Sequence, residues 1–317
     1  MKDFAGLFFG LLLAASNAVA ADNIRILVPA NPGGGWDQTG RALAQAMQSA
    51  GAAKSVQIDN RGGAGGTIGL AQFVNSAKGD GSQLMVGGLV MVGAIELNKS
   101  PVNLSQVTPI ARLTAEYDAI VVPASSKIQS LKDLVAQLKA NPGGVSWGGG
   151  SAGGVDHILV ALIAKDAGVD VTKVNYIPFA GGGEANAAIL GGHVTAGVGG
   201  YAEMAAQIKS GRMRVLGISS DKRLPDVPAV PTLKEQGVNV EIFNWRGVFG
   251  GPGLSEAQRQ ALTKTVADAV KSPAWQETLK RNDWSNVFLS GNEFKAYVDS
   301  EQKRIGAVLK EIGLAKK

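Results

Sequence analysis

The sequence is 317 residues long, 45% apolar, carries a formal net charge of +5 and contains no cysteine. This composition excludes a disulfide-stapled scaffold and a thiolate metal site. Its basic residues are scattered among acids rather than clustered, which argues against a nucleic-acid binder and fits mild attraction for small anions.

Met1-Lys2, an apolar run over 4–15 and the small-x-small end Ala18-Val19-Ala20 read as a cleavable signal peptide over 1–20. With no cysteine to take a lipid anchor, the expected product is a freely diffusing periplasmic protein, taken to be a monomer. Lys2 and Asp3 cancel, so cleavage leaves the net charge unchanged. Roughly 300 residues remain, which predicts about two domains.

Short, mostly apolar runs at 24–28, 56–58, 84–86, 120–122, 145–147, 176–177, 196–198, 215–218 and 247–249 read as strands. Helical patterns lie between them, for example over 130–140, where Leu131, Leu134, Val135 and Leu138 share one face. This alternation predicts an α/β fold with parallel, helix-covered sheets. Beyond Gly253 the chain reads as almost wholly helical, with Ser255 and Gln258, and Ser290 and Glu293, at the capping-box spacing. Pro123 and the prolines over 225–231 bracket a central block. The expected division is a first lobe over 21–121 and 225–317, a second lobe over 122–224, and two strand crossings acting as a hinge around a cleft.

Four glycine-rich turns stand where a strand hands over to a helix: NPGGGWD at 31–37, RGGAGGT at 61–67, GGGSAGG at 148–154 and AGGGE at 180–184. Without Cβ atoms such turns let main-chain N–H groups converge, and the helix that follows adds its free amides and positive dipole end, so each favours an anion. The first turn offers Gly33, Gly34, Gly35 and Trp36, with Asp37 as a helix cap or a site residue. The second offers Gly65 and Gly66, with Arg61 as a guanidinium fork for a carboxylate and Thr67 as a cap or contact. Ser151 and His157 belong to the third turn and the helix after it. In the strand pair Trp245–Arg246 alternate residues face opposite ways, so one of the two faces the cleft.

The third turn also satisfies two enzyme motifs. Gly148, Gly150 and Gly153 match G-x-G-x-x-G, but no acidic residue ends the next strand as dinucleotide binding requires. Gly149, Ser151 and Gly153 match G-x-S-x-G, which keeps an exported serine hydrolase as an alternative, with only His157 and His193 to serve as base. No P-loop lysine follows a glycine run, and two scattered histidines make no metal set; no cofactor is expected.

Taken in order, PGGGWD at 32–37, NRGGAGG at 60–66, GGVDH at 153–157, GGHV at 191–194 and VPTLKE at 230–235 resemble the Bug receptors, the periplasmic substrate-binding proteins of tripartite tricarboxylate transporters. The resemblance covers essentially the whole chain after the leader. It implies a two-lobed, type II periplasmic-binding-protein fold that closes on an organic acid and delivers it to a membrane complex of one large and one small subunit. By the same resemblance a carboxylate lies between 33–37 and 62–67. Loops 151–157 and 179–184, with Phe179, Ala180 and Gly181, cover its other end. The runs 34–37 and 244–247 resemble the tricarboxylate branch, making citrate the expected ligand and Arg61 or Arg246 the group offsetting a further charge. A dicarboxylate or aromatic carboxylate, or a sensory role, is the alternative. One departure is FAGGGEA at 179–185 in place of the family's Gly and Pro-Ala pair, which sets Glu184 near an anion unless it caps the helix.

Overall fold

In the computed structural model, residues 21–225 and 227–315 are described; the leader expected over 1–20 lies outside them. The chain begins with β1 (Ala21–Val28), α1 (Gly35–Ser49), β2 (Ala53–Asn60), α2 (Thr67–Ser76), β3 (Gln83–Gly88), α3 (Leu89–Leu97) and β4 (Thr108–Glu116). It continues through β5 (Asp118–Pro123), α4 (Leu131–Ala140), β6 (Ser146–Gly149), α5 (Val155–Asp166), β7 (Asn175–Pro178), α6 (Gly182–Leu190), β8 (Ala196–Gly200), α7 (Tyr201–Lys209) and β9 (Met213–Ile218). It closes with β10 (Asn244–Gly250), α8 (Glu256–Val270), α9 (Pro273–Arg281), β11 (Ser285–Ser290) and α10 (Gly291–Glu311).

Two sheets result, one ordered β11-β4-β10-β3-β1-β2 and the other β7-β6-β8-β5-β9. In the first, Ile26 pairs in parallel with both Ile58 and Leu84, and all three strands that follow the βα rhythm are parallel. β10, returning from the other sheet, enters antiparallel to β3 and β4, and β11 is antiparallel to β4. In the second sheet β6 is parallel to β7 and β8, while β5 runs against β8 and β9. The expectation of wholly parallel sheets is therefore corrected: strands adjoining the crossings must run backwards because the chain enters one sheet from the end of the other.

Two strands lay outside the sequence reading. β4 contains Pro109 and Arg112 among small residues and shows little alternation, yet it is almost wholly buried because β10 and β11 flank it and helices cover it. β11 is a half-exposed edge strand within the stretch read as helical. Local features elsewhere match the reading. Ser130 caps α4 in a box with Asp133, and Leu131, Leu134 and Leu138 are fully buried, each contributing about 1.5–3 kcal/mol. The Ser255–Gln258 box forms, whereas Ser290 stands at the start of α10 without a side-chain cap. No described helix is long and apolar enough to cross a membrane.

The chain crosses between sheets at Tyr117, between β4 and β5, and returns through 219–243. Ser219 ties the crossings together: its hydroxyl accepts the Asp118 N–H at 2.9 Å and donates to the Ile242 carbonyl at 3.0 Å. The pairings Asn244↔Glu116 and Asp118↔Gly200 set three polar or charged side chains, with Arg246 close by, at the facing ends of the sheets.

Candidate functional site

A cavity of about 80 Å³ lies between the sheets, several times the roughly 10–15 Å³ one water needs. The first lobe contributes Pro29, Ala30 and the turn Gly34–Gly35–Trp36, with Asn244 and Arg246 from β10. The second contributes Gly150, Ser151, Asp156, the loop 179–182, and Asn186 and Glu203. The lobes touch beside it. A Cβ on Gly34 would come within 2.9 Å of the Gly182 nitrogen, so glycine is what allows this approach. Asn31 donates across the gap to Glu184 Oε1 at 2.6 Å.

The helices facing this gap share one device. α1, α5, α6 and α7 start on Gly34, Gly154, Gly181 and Gly200, none of which supplies a capping side chain. By contrast α4, α8 and α9, remote from it, are each capped by a serine. Cleft-side helix starts thus leave their first amides to be satisfied by groups reaching in from elsewhere.

Several of those groups are carboxyls of the protein itself. Arg246 is 1% exposed; its Nη2 donates to Glu116 and, at 3.3 Å, to Glu203 Oε1. Glu116 also accepts the Trp284 indole N–H at 3.1 Å, and the guanidinium lies over that ring at 5.4 Å. Glu203 accepts the Gly35 N–H. Burial, and then the Asp156 charge, push the Glu203 carboxyl up to about 8 despite that bond. Burial pulls Arg246 down to about 9. Asp156 accepts the Gly150 N–H at 2.6 Å, and burial raises it to about 6. Behind them Asp118 is fully buried; burial, then Asp156 and Glu203, hold it well above the usual carboxylate range.

Eight of the expected site residues line the cavity: Gly34, Gly35, Trp36, Ser151, Phe179, Ala180, Gly181 and Arg246. Trp245 points the other way, donating its indole N–H to Glu301 at 2.9 Å. Seven residues do not line it. Gly33 donates its N–H to Asp37 at 3.0 Å, and Asp37 also takes Arg41 and Asn60 at 3.0 Å, so this carboxylate holds the turn rather than facing the cavity. Burial alone would raise Asp37, but these bonds outweigh it and keep it below its ordinary value. Gly66 packs over Trp36, Gly65 approaches Ala94 and Ser151, and the Thr67 hydroxyl donates to the Ala64 carbonyl at 2.9 Å. Arg61, expected to fork a carboxylate, is instead exposed and pairs with Asp59 at 3.3 Å. His157 stacks on Tyr176 at 4.2 Å, and its Nδ1 accepts the Gly153 N–H at 3.1 Å.

That last bond also bears on Ser151. Burial pulls His157 down to about 4, so the ring is neutral, and with Nδ1 accepting, its proton sits on Nε2. It therefore offers Ser151 no acceptor for a hydroxyl proton. Glu184 accepts the Ala180 N–H at 3.3 Å, just ahead of the Gly181 N-cap, as well as the Asn31 amide, so it ties the turn before α6 across the gap, and it stays exposed.

Glu116, Asp118, Glu203, Asn31 and Trp284 were not singled out in the sequence. The acids are dispersed over about 90 residues of chain, and an acidic residue in a helix's first turn, as Glu203 is, ordinarily signals nothing beyond the dipole. Only the crossing at Tyr117 and the turn of β10 bring them together.

The pattern of the family described as "Tripartite tricarboxylate transporter family receptor" matches residues 40–314. Protein BugT of Bordetella pertussis is 29% identical over 304 residues, which cover 94% of this chain and 92% of BugT. Among solved structures, the periplasmic binding protein BugD superposes with a TM-score of 0.85 at 24% identity, covering 93% of this chain and 99% of BugD. The R. palustris protein Rpa4515, solved with adipate, also gives 0.85, at 23% identity and coverages of 93% and 98%. The two-lobed architecture, the cavity between its sheets and a family match running through nearly all of the described residues agree: the chain belongs to the tripartite tricarboxylate transporter receptor family, whose members are periplasmic solute-binding receptors and not enzymes.

Proposed function

We propose that this receptor captures a small organic acid in the cavity, by main-chain donors, and presents the closed form to the large and small membrane subunits of its transporter. The observation that carries the reading is the set of glycine-started helices converging on one cavity, since uncapped amides at helix starts suit a carboxylate without needing a lysine or arginine. Rpa4515, a neighbour of the same fold, holds adipate, which supports the ligand class.

The motif resemblance puts citrate forward, but the charge balance favours fewer carboxylates. Arg246 is the only basic side chain lining the cavity among the described residues, and Glu116 already matches it. A trianion would meet the Asp156 carboxylate with no further cation to offset it, at a cost of several kcal/mol in a buried site. We therefore favour a solute with one carboxylate, or two at most, over citrate. Export through cleavage of 1–20, a monomeric receptor, and two lobes hinged at Tyr117 and within 219–243 complete the proposal.

The test is calorimetric titration of unfolded and refolded protein, freed of any retained solute, with citrate, succinate, adipate, butyrate and an aromatic carboxylate. Saturable binding of a mono- or dicarboxylate with citrate at least about tenfold weaker supports it. Citrate binding tightest overturns the charge argument and restores the tricarboxylate reading.

A further inference from the structure

Among the buried side-chain atoms of the polar wall, unmatched acceptors outnumber unmatched donors. Asn244 is 4% exposed, yet its Oδ1 meets no donor within the protein, and neither does Oδ1 of Asn186, whereas the fully buried Asp118 shares a hydrogen bond with Asp156. Asn244 and Asn186 line the cavity directly, and Asp118 stands behind Asp156, which lines it. Against these acceptors the one buried side-chain donor lining the cavity without a partner, among the described residues, is Nη1 of Arg246. Buried polar atoms are almost always matched, so the unmatched set describes what the site is built to receive.

The positive ends of the site are meanwhile already occupied. Glu203 takes the Gly35 N–H at the start of α1 and an arm of Arg246, which is where a ligand carboxylate would otherwise draw on both. The fit is close: an added Cβ on Gly35 would lie 2.6 Å from Glu203 Oε1. Asp156 likewise takes the Gly150 amide. The protein's own carboxyls thus fill the anion cradles on this side of the cavity, which they line. These acids do not converge as a metal-ligand set among the described residues.

We propose that Glu203, Asp156 and the Asn244 amide oxygen form a subsite for a protonated basic nitrogen, so that the solute is an organic acid with an amine at the end opposite its carboxylate. A primary ammonium presents three donors to three acceptors and supplies the positive charge the wall lacks. The charged groups facing Glu203 are Glu116 from β4, Asp118 from β5, Asp156 from α5 and Arg246 from β10; the α1 and α6 turns offer main chain only. Two carboxyls and one guanidinium therefore face the nitrogen, with Glu116 and Asp118 buried behind them. This inference rests on the carboxylate reading above.

The two readings fail differently in one calorimetric series at pH 7, using 4-aminobutyrate, butyrate, succinate and putrescine. The expected result is 4-aminobutyrate binding at least about tenfold tighter than butyrate or succinate. Glu203→Gln and Asp156→Asn should each remove most of that preference. Because Glu203 is largely protonated at this pH, ammonium binding should also release a proton, seen as a binding enthalpy that changes with the buffer's ionisation enthalpy. Succinate or butyrate binding as well as 4-aminobutyrate, or proton uptake on binding, overturns the nitrogen subsite and leaves the carboxylate receptor standing. Putrescine binding while all three acids fail supports the subsite and overturns the carboxylate reading. Failure of all four overturns the subsite.

Discussion

Replacing Glu203 with glutamine should make the protein's stability less dependent on pH, and the size of the effect follows from where the side chain sits. Its carboxyl is held at about 8 in the folded chain against an ordinary value of 4.5. Between those values the folded state keeps a proton that the unfolded state has lost. Stability from this group is therefore complete below pH 4.5 and falls as pH rises towards 8. At about 1.4 kcal/mol per pH unit, the 3 units from pH 5 to pH 8 give a ceiling of about 4 kcal/mol. Glutamine keeps an acceptor for the Gly35 N–H but does not titrate. Urea unfolding of both proteins at pH 5, 6.5 and 8 should show Glu203→Gln gaining about 2–4 kcal/mol on the wild type across the range, with the slope on urea unchanged. A difference constant to within about 0.5 kcal/mol would refute the placement of a neutral, desolvated carboxyl beside Arg246.

Arg246→Met leaves Glu116, 2% exposed, without its guanidinium, and should cost about 3–5 kcal/mol in urea unfolding at pH 7. Arg61→Ala should change stability by less than about 0.5 kcal/mol and leave the affinity for the tightest-binding acid within about twofold, because this side chain is exposed and paired only with Asp59; a tenfold loss by calorimetry would put it back in the site. His157, pulled down to about 4 by burial, should stay neutral over the physiological range, so its ring proton resonances should be flat from pH 8 to about 5.5. An inflection near 6.5 would mean that the ring is solvated and free of Tyr176.

Turn by turn, the glycine runs could be read because their cause is local. Gly34, Gly35 and Gly181 are glycine since helices start there in close approach to another chain segment, and a run of three glycines after an apolar strand has few other uses. The serine cap on α8 was legible for the same reason, being a bond between residues three apart. Arg61 shows the limit of such reading. Its position next to a glycine turn was visible, but its direction depends on where β2 ends, which leaves the side chain beside Asp59 instead of over the cavity.

What the sequence determined by itself is the kind of molecule: an α/β chain in two lobes, its helices near the cleft opened by glycine. Strand propensity, helix periodicity and turn chemistry are properties of neighbours along the chain, and they survive whatever the tertiary fold does with them. Only the tertiary structure decided the charge inside the cleft. Glu116, Asp118, Asp156, Glu203 and Arg246 come from five different elements and meet because β10 returns antiparallel beside β4 while β5 leaves for the other sheet. Each alone is an ordinary acid or base in water. Burial together is what raises the carboxyls, fixes Arg246 between two of them, and decides which solute charge the cavity can accept.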